Sequence, residues 1–149
     1  MFRFLDWLRH CVRLRAWNAD RAWGRRGEDL AHRFLRRNHY TVVARNYRTR
    51  SGSGEVDLIA WEGETLAFVE VKTRRNAEFG TPDRAVDSEK RRKLIIAALD
   101  YCRRSGVAWE RSRFDVVAIV IEPNTRISLI RDAFERPVRR AAGARAAAV

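Results

Sequence analysis

The sequence predicts an α/β domain with a mixed central sheet flanked by helices, its elements running helix, three strands, helix, strand. Three observations predict it. Apolar residues recur at helical spacing in two segments, residues 24–38 and a stretch ending near Gly106. Between them, three strand-like runs are joined by links short enough for hairpins. After the second helix comes a nearly unbroken apolar run, residues 114–121, which suits a strand covered on both faces and parallel to a neighbour.

The elements are justified in chain order. Phe2, Leu5, Leu8, Val12 and Trp17 alternate with Arg3, Arg9, Arg13 and Arg15, so residues 1–22 are expected to form a basic amphipathic helix. Its apolar stripe docks on the domain, on a second copy or another protein partner, or on an anionic membrane surface, and the sequence leaves these open. A domain over residues 23–135 follows. In its first helix, Leu30, Ala31, Phe34 and Leu35 mark one face and arginines fill the rest. Strands are expected over 40–47, 55–61 and 66–72, with turns at Arg50 to Gly54 and Glu62 to Glu64. A loop with Gly80 and Pro82 leads to a helix capped by Asp87 or Ser88, with Leu94, Ile95, Ala98, Leu99 and Cys102 on its apolar face. Residues 127–130 are expected to add an edge strand. The Arg/Ala-rich residues 136–149 are expected to be a flexible tail.

Size and charge bound the function. A chain of 149 residues with 46% apolar content supports one ordinary core. Thirty-one basic against 19 acidic residues leave a net charge of +12, a field that draws polyanions and makes nucleic acid the first partner to consider. Cys11 and Cys102 belong to no metal-binding or disulfide pattern, so both are read as reduced thiols. Charges at Asp6, Arg9 and Arg13 break any signal-peptide core, and no stretch approaches a membrane span. A cytoplasmic protein is expected.

The chemistry is concentrated in charged residues set in apolar strands. Leu66-Ala-Phe-Val-Glu-Val-Lys72 reads as covered on both faces, yet it carries Glu70 and Lys72. A buried carboxylate without a partner costs many kcal/mol, so such groups shift their pKa, pair or bind metal. Alternation puts Phe68, Glu70 and Lys72 on one face, and Glu55, Asp57 and Ile59 on one face of the preceding strand. In an antiparallel pair of suitable register Asp57 and Glu70 converge, and a divalent cation between them relieves their repulsion. Oxygen ligands suit Mg2+ or Mn2+. A buried structural ion pair, Glu70 with Lys72 or an arginine, is the competing reading. Only Lys72, Lys90 and Lys93 among the 31 basic residues are lysines, which favours a chemical role for Lys72, since arginine suits a purely structural carboxylate pair.

Asp57 followed by Glu70-Val-Lys72 resembles the PD-(D/E)xK signature of restriction-endonuclease-like nucleases, with Val56 in place of its proline. More closely, Gly24-Arg-Arg-Gly-Glu-Asp-Leu-Ala31, Asn46-Tyr47, Gly54-Glu-Val-Asp-Leu-Ile-Ala60, Phe68-Val-Glu-Val-Lys-Thr-Arg74, Phe79-Gly-Thr-Pro82 and Arg113-Phe-Asp-Val-Val117 resemble the YraN family of predicted nucleases. These six blocks span about Gly24 to Phe134 and leave the first helix and the tail outside. The resemblance implies a restriction-endonuclease-like αβββαβ core and metal-assisted hydrolysis of DNA phosphodiesters. It implies Asp57, Glu70 and the Val71 carbonyl as metal ligands, Lys72 at the attacking water and the developing phosphorane, and Glu28 as a further acidic residue. A carboxylate favoured by the helix dipole is the competing reading of Glu28.

Around that site, Arg48, Arg50, Arg74, Arg75 and Lys90 are candidate contacts to backbone phosphates. No base-reading motif is present, so DNA is expected to be recognised by structure, branched or single-stranded, rather than by sequence. A non-catalytic DNA-binding adaptor in repair or recombination is the rival from another class.

Overall fold

The computed structural model describes residues 17–76 and 88–138. Residues 1–16, most of the expected N-terminal helix, lie outside the described residues, as do the loop with Gly80 and Pro82 and the end of the tail. The elements are α1 (Trp17–Arg37), β1 (Tyr40–Arg48), β2 (Glu55–Glu62), β3 (Thr65–Arg74), α2 (Ser88–Ser105), a 3-10 turn (Trp109–Arg111), β4 (Ser112–Val120) and β5 (Arg126–Ile130). The αβββαβ order read from the sequence is present, completed by the edge strand β5. One boundary differs: α1 begins at Trp17 and runs through Gly24, so no break separates residue 22 from residue 23.

Both helices end by backbone chemistry. At the α1 terminus Asn38 donates to the Phe34 carbonyl from its backbone N–H and from Nδ2, and His39 takes the left-handed position at φ 66°. Gly106, at φ 72°, stops α2 while the Val107 N–H returns to the Cys102 carbonyl.

The five strands lie in the order β1-β2-β3-β4-β5. All neighbours are antiparallel except β3 and β4, which run parallel because α2 crosses between them. The sheet is covered twice. On one face Leu94, Ala97, Ala98 and Cys102 of α2 pack on Ile59, Leu66, Phe68 and Phe114. On the other, Ala31 and Leu35 of α1 pack on Leu58, Ala60, Ala67, Val69 and Val117. Leu66 and Phe68 thus face α2 while Ala67 and Val69 face α1, the alternation a doubly covered strand requires.

Two glycines set how closely the helices approach. A Cβ on Gly27 of α1 would lie 1.9 Å from Oγ1 of Thr73, and one on Gly54 would lie 2.7 Å from the backbone nitrogen of Ala97 in α2. These contacts seat α1 on the end of β3 and α2 on the start of β2.

A buried network ties the opposite end of the sheet. The Asp115 carboxylate is fully buried, receives Nε and Nη2 of Arg113 at 2.7 and 2.8 Å, and accepts from the Asp132 N–H and Tyr40 Oη. Arg113 also reaches Glu62, which pairs with Arg131 at 2.7 Å. The apolar reading of residues 114–121 passed over Asp115. The chain remains fastened past residue 135: Trp109 Nε1 donates to the Pro137 carbonyl, and Arg136 donates to the carbonyls of Glu110 and Ser112. The expected flexible tail therefore does not begin at Arg136.

Two stability outcomes are expected. Gly54→Ala should lower the denaturation midpoint by the equivalent of about 1–3 kcal/mol, because helical backbone cannot yield to the new Cβ. Gly24→Ala, with nothing within 4 Å of the new atom, should raise stability by about 0.5–1 kcal/mol; urea titration of both variants checks the pair. Separately, the Arg131 hydrogen bond, aided by Arg113 against partial burial, holds the Glu62 carboxyl down at about 2, from an ordinary 4.5. A depressed folded-state pKa stabilises above the ordinary value and is lost as pH falls from there through 2. Glu62→Gln should accordingly flatten the acid limb of thermal stability between those pH values, read by scanning calorimetry.

Candidate active site

The candidate site is where β2 and β3 diverge beneath the first turn of α2. Their ladder pairs Ile59 with Phe68 and Leu58 with Val69, and one more step sets Asp57 across from Glu70. At that step the main-chain partner is replaced by a side chain: Oδ2 of Asp57 accepts the Val71 N–H at 2.8 Å.

Asp57 reaches this position because two strands lose their alternation together. Pairing between β1 and β2 passes from Arg45↔Leu58 to Tyr47↔Val56, omitting Asn46 and Asp57, and Asn46 adopts φ 49°. Val56 then packs in the same cluster as Ile59, three residues on, which strict alternation forbids. Val56 departs from the simple period, while Glu55, Asp57 and Ile59 stay on the α2 side and the Asp57 carboxylate reaches over to β3.

Glu70 stays in the regular part of β3, paired in unbroken register with β4. It is 7% exposed, and its Oε2 has no hydrogen-bond partner. Burial first, then the Asp57 charge, push its carboxyl up to about 8, against the opposing pull of Lys90. Lys72, two residues on in the same register, lies on the α2 side of β3 and is half-buried. Val71 turns to the α1 side.

Lys90 brings a cation to the cluster. Its Nζ lies 3.0 Å from Oε1 of Glu55 and 3.4 Å from Oε2 of Glu70, with the side chain 24% exposed. Burial works against its charge, but Glu70, Asp57 and Glu55 outweigh it and hold the ammonium above the usual lysine range. The Lys90 hydrogen bond in turn lowers the Glu55 carboxyl. The expectation of Lys90 as a contact to backbone phosphate is therefore corrected: the acid cluster draws it inward. Its signal was present in the sequence, since the scarcity of lysine that singled out Lys72 applies equally to Lys90.

The remaining candidates separate. Glu28, on the α1 side next to Gly27, accepts from Nδ2 of Asn46 at 3.0 Å and lies 4.0 Å from Arg45. No group of three or more His, Cys, Asp or Glu side chains is close enough to hold a metal among the described residues, so Glu28 does not close a three-carboxylate set with Asp57 and Glu70. Arg48 is exposed and 3.9 Å from Glu55, at the edge of the cluster. Arg75 is exposed and paired with Glu122 at 3.1 Å. Arg74, expected as a contact to backbone phosphate, is buried, at 9% exposure. Arg50 lines an open cleft of about 910 Å³ with Ile96, Asp100, Arg103 and Arg104. That cleft runs along α2 from Ile96 onward, past the first turn that carries Lys90.

The model of the uncharacterised protein family UPF0102 matches residues 27–119. The chain belongs to this family. Among its relatives, a UPF0102 protein of Solibacter usitatus is 56% identical over 111 residues, covering 74% of this chain and 84% of the relative. UPF0102 proteins of Desulfosudis oleivorans and Rhodococcus jostii are 47% and 50% identical, over 79% and 76% of this chain and 94% and 96% of their own length. UPF0102 is the family to which the YraN resemblance pointed. The matched residues run from the Gly27 contact through Asp57, Glu70, Lys72 and Lys90, so the whole candidate site lies inside the UPF0102 segment. Among the described residues no helix is long and apolar enough to cross a membrane.

The Asp57 contact yields a structural expectation. Asp57→Ala leaves the Val71 N–H without its acceptor, whereas Asp57→Asn keeps an oxygen there. The alanine variant should be less stable than the asparagine variant by about 1–2 kcal/mol in urea titrations with EDTA present.

Proposed function

We propose that this chain is a divalent-metal-dependent DNA endonuclease of the restriction-endonuclease-like type, acting on phosphodiester bonds in branched or single-stranded DNA. One observation carries the reading: on adjacent strands the Asp57 carboxylate meets the buried Glu70 carboxylate, with Lys72 following on the α2 side of β3. A structural ion pair needs one carboxylate; two carboxylates raising one another's cost need a stronger cation.

The donor set fits magnesium or manganese. Asp57 and Glu70 supply hard oxygens, Glu70 Oε2 lacks a hydrogen-bond donor in its buried position, and no described thiol or imidazole joins them to favour a softer metal. When bound, such an ion supplies Lewis acidity toward water and a phosphoryl oxygen. The protein's own groups do the rest. Asp57, fixed by the Val71 N–H, and Glu70, fixed by strand register, are the proposed ligands, with the Val71 carbonyl as a third. Lys72 orients the attacking water and offsets charge gathering on the phosphorane. Arg48 and the exposed Arg91 and Arg92 at the start of α2 suit backbone phosphates, which carry register but no sequence. The net charge of +12 adds long-range attraction for the polyanion. Nothing in this set requires a membrane, and the cytoplasm is the proposed compartment.

The test is cleavage of labelled flapped, branched, single-stranded and duplex DNA with Mg2+, Mn2+ or EDTA. Metal-dependent cutting is expected. Asp57→Ala and Lys72→Ala should each lower the rate by at least about a hundredfold while the affinity for DNA changes by less than about threefold. Binding without cutting under every divalent ion would favour a DNA-binding adaptor that keeps the fold.

A further inference from the structure

Resting on the metal-site reading above, we propose that Lys90 is a built-in competitor for the divalent cation: its ammonium occupies the place beside Glu55 and Glu70 in the metal-free protein and retreats onto Glu55 when the ion binds.

The geometry sets both positions. Lys90 Nζ is already nearer Glu55, at 3.0 Å, than Glu70, at 3.4 Å. Glu70 Oε2 is the oxygen that faces Lys90 and lacks a hydrogen-bond donor. An ion taken up by that oxygen would stand next to an ammonium, and like charges at such range repel strongly in a partly dry setting. A swing of the flexible lysine stem toward Glu55 relieves this without moving the helix. Glu55 is partly exposed, at 34%, so the retreat also carries the ammonium toward solvent. Lysine suits the task because its charge is compact and rotatable, whereas a guanidinium fork would lock onto the carboxylate.

The metal-free state gains from the arrangement. Lys90 places a positive charge 3.4 Å from the buried Glu70 side chain while the ion is absent. Lys90 is a positioning residue in this role, not a group that touches the reacting phosphate.

The experiment is isothermal titration of Mn2+ into EDTA-stripped, dialysed full-length protein: wild type, Lys90→Met and Lys93→Met. Lys93 lies on the same helix, pairs with Glu89 at 3.8 Å and matches the charge change. Lys90→Met should bind Mn2+ about tenfold tighter or more, the factor expected for removing one charge about 5 Å from a divalent ion even at water-like screening. Lys93→Met should stay within about twofold of wild type. A second measurement needs no variant. Acetylation of wild-type lysines by an amine-directed ester, read by mass spectrometry, should quicken several-fold at Lys90 on adding saturating Mn2+ and stay unchanged at Lys93. Equal or weaker Mn2+ binding by Lys90→Met, or Lys90 acetylation slowed or unaltered by Mn2+, overturns the inference and leaves the metal site standing. Failure of both wild type and Lys90→Met to bind Mn2+ overturns the metal site itself and this inference with it.

Discussion

The local design depends on one constraint: Glu70 sits in a strand whose two faces are both covered. Phe68 packs under α2 and Val69 under α1, and between these layers there is little water to solvate a charge. Each neighbouring feature bears on that cost. The paired irregularity at Asn46 and Asp57 brings a second carboxylate to the end of the β2–β3 ladder, while the first turn of α2 brings an ammonium. The close approach at Gly54 is what allows α2 to lie low enough over β2 for Lys90 to reach both Glu55 and Glu70.

The opposite end of the sheet shows what a purely structural buried carboxylate looks like in the same molecule. Asp115 receives an arginine fork, a tyrosine hydroxyl and a backbone N–H, so its oxygens are occupied by donors. Glu70 has a lysine at ion-pair distance, a second carboxylate alongside and an oxygen without a hydrogen bond. The chain uses arginine where the task is to satisfy a carboxylate and lysine where the charge stays adjustable.

The UPF0102 match bounds the same region, from Gly27 to Ile119. It takes in both glycine contacts, the Asp57 irregularity and the first turn of α2, but leaves out β5 and the stacking of Phe134 on Phe114 at 4.5 Å. Phe134 also carries the Arg91 guanidinium over its ring at 5.0 Å. The family segment therefore coincides with the parts that shape the candidate site.

The order of elements, the parallel placement of β4 beside β3 and the shared face of Glu70 and Lys72 were legible because they follow from period and spacing, whereas the register that brings Asp57 to Glu70 was left open. A run such as Leu66 to Lys72 carries its double coverage in its composition, and a charge inside such a run is visible as a misfit. Four things were decided only by the tertiary structure. The break in alternation at Asp57 arises from a left-handed Asn46 on the neighbouring strand, a cross-strand event that local periodicity does not encode. The inward turn of Lys90, the burial of Arg74 and the separation of Glu28 from Glu70 depend on which helix covers which face. Sequence period states which residues share a side of one element; electrostatics acts through space, and only the packed layers bring charges from separate elements within its reach.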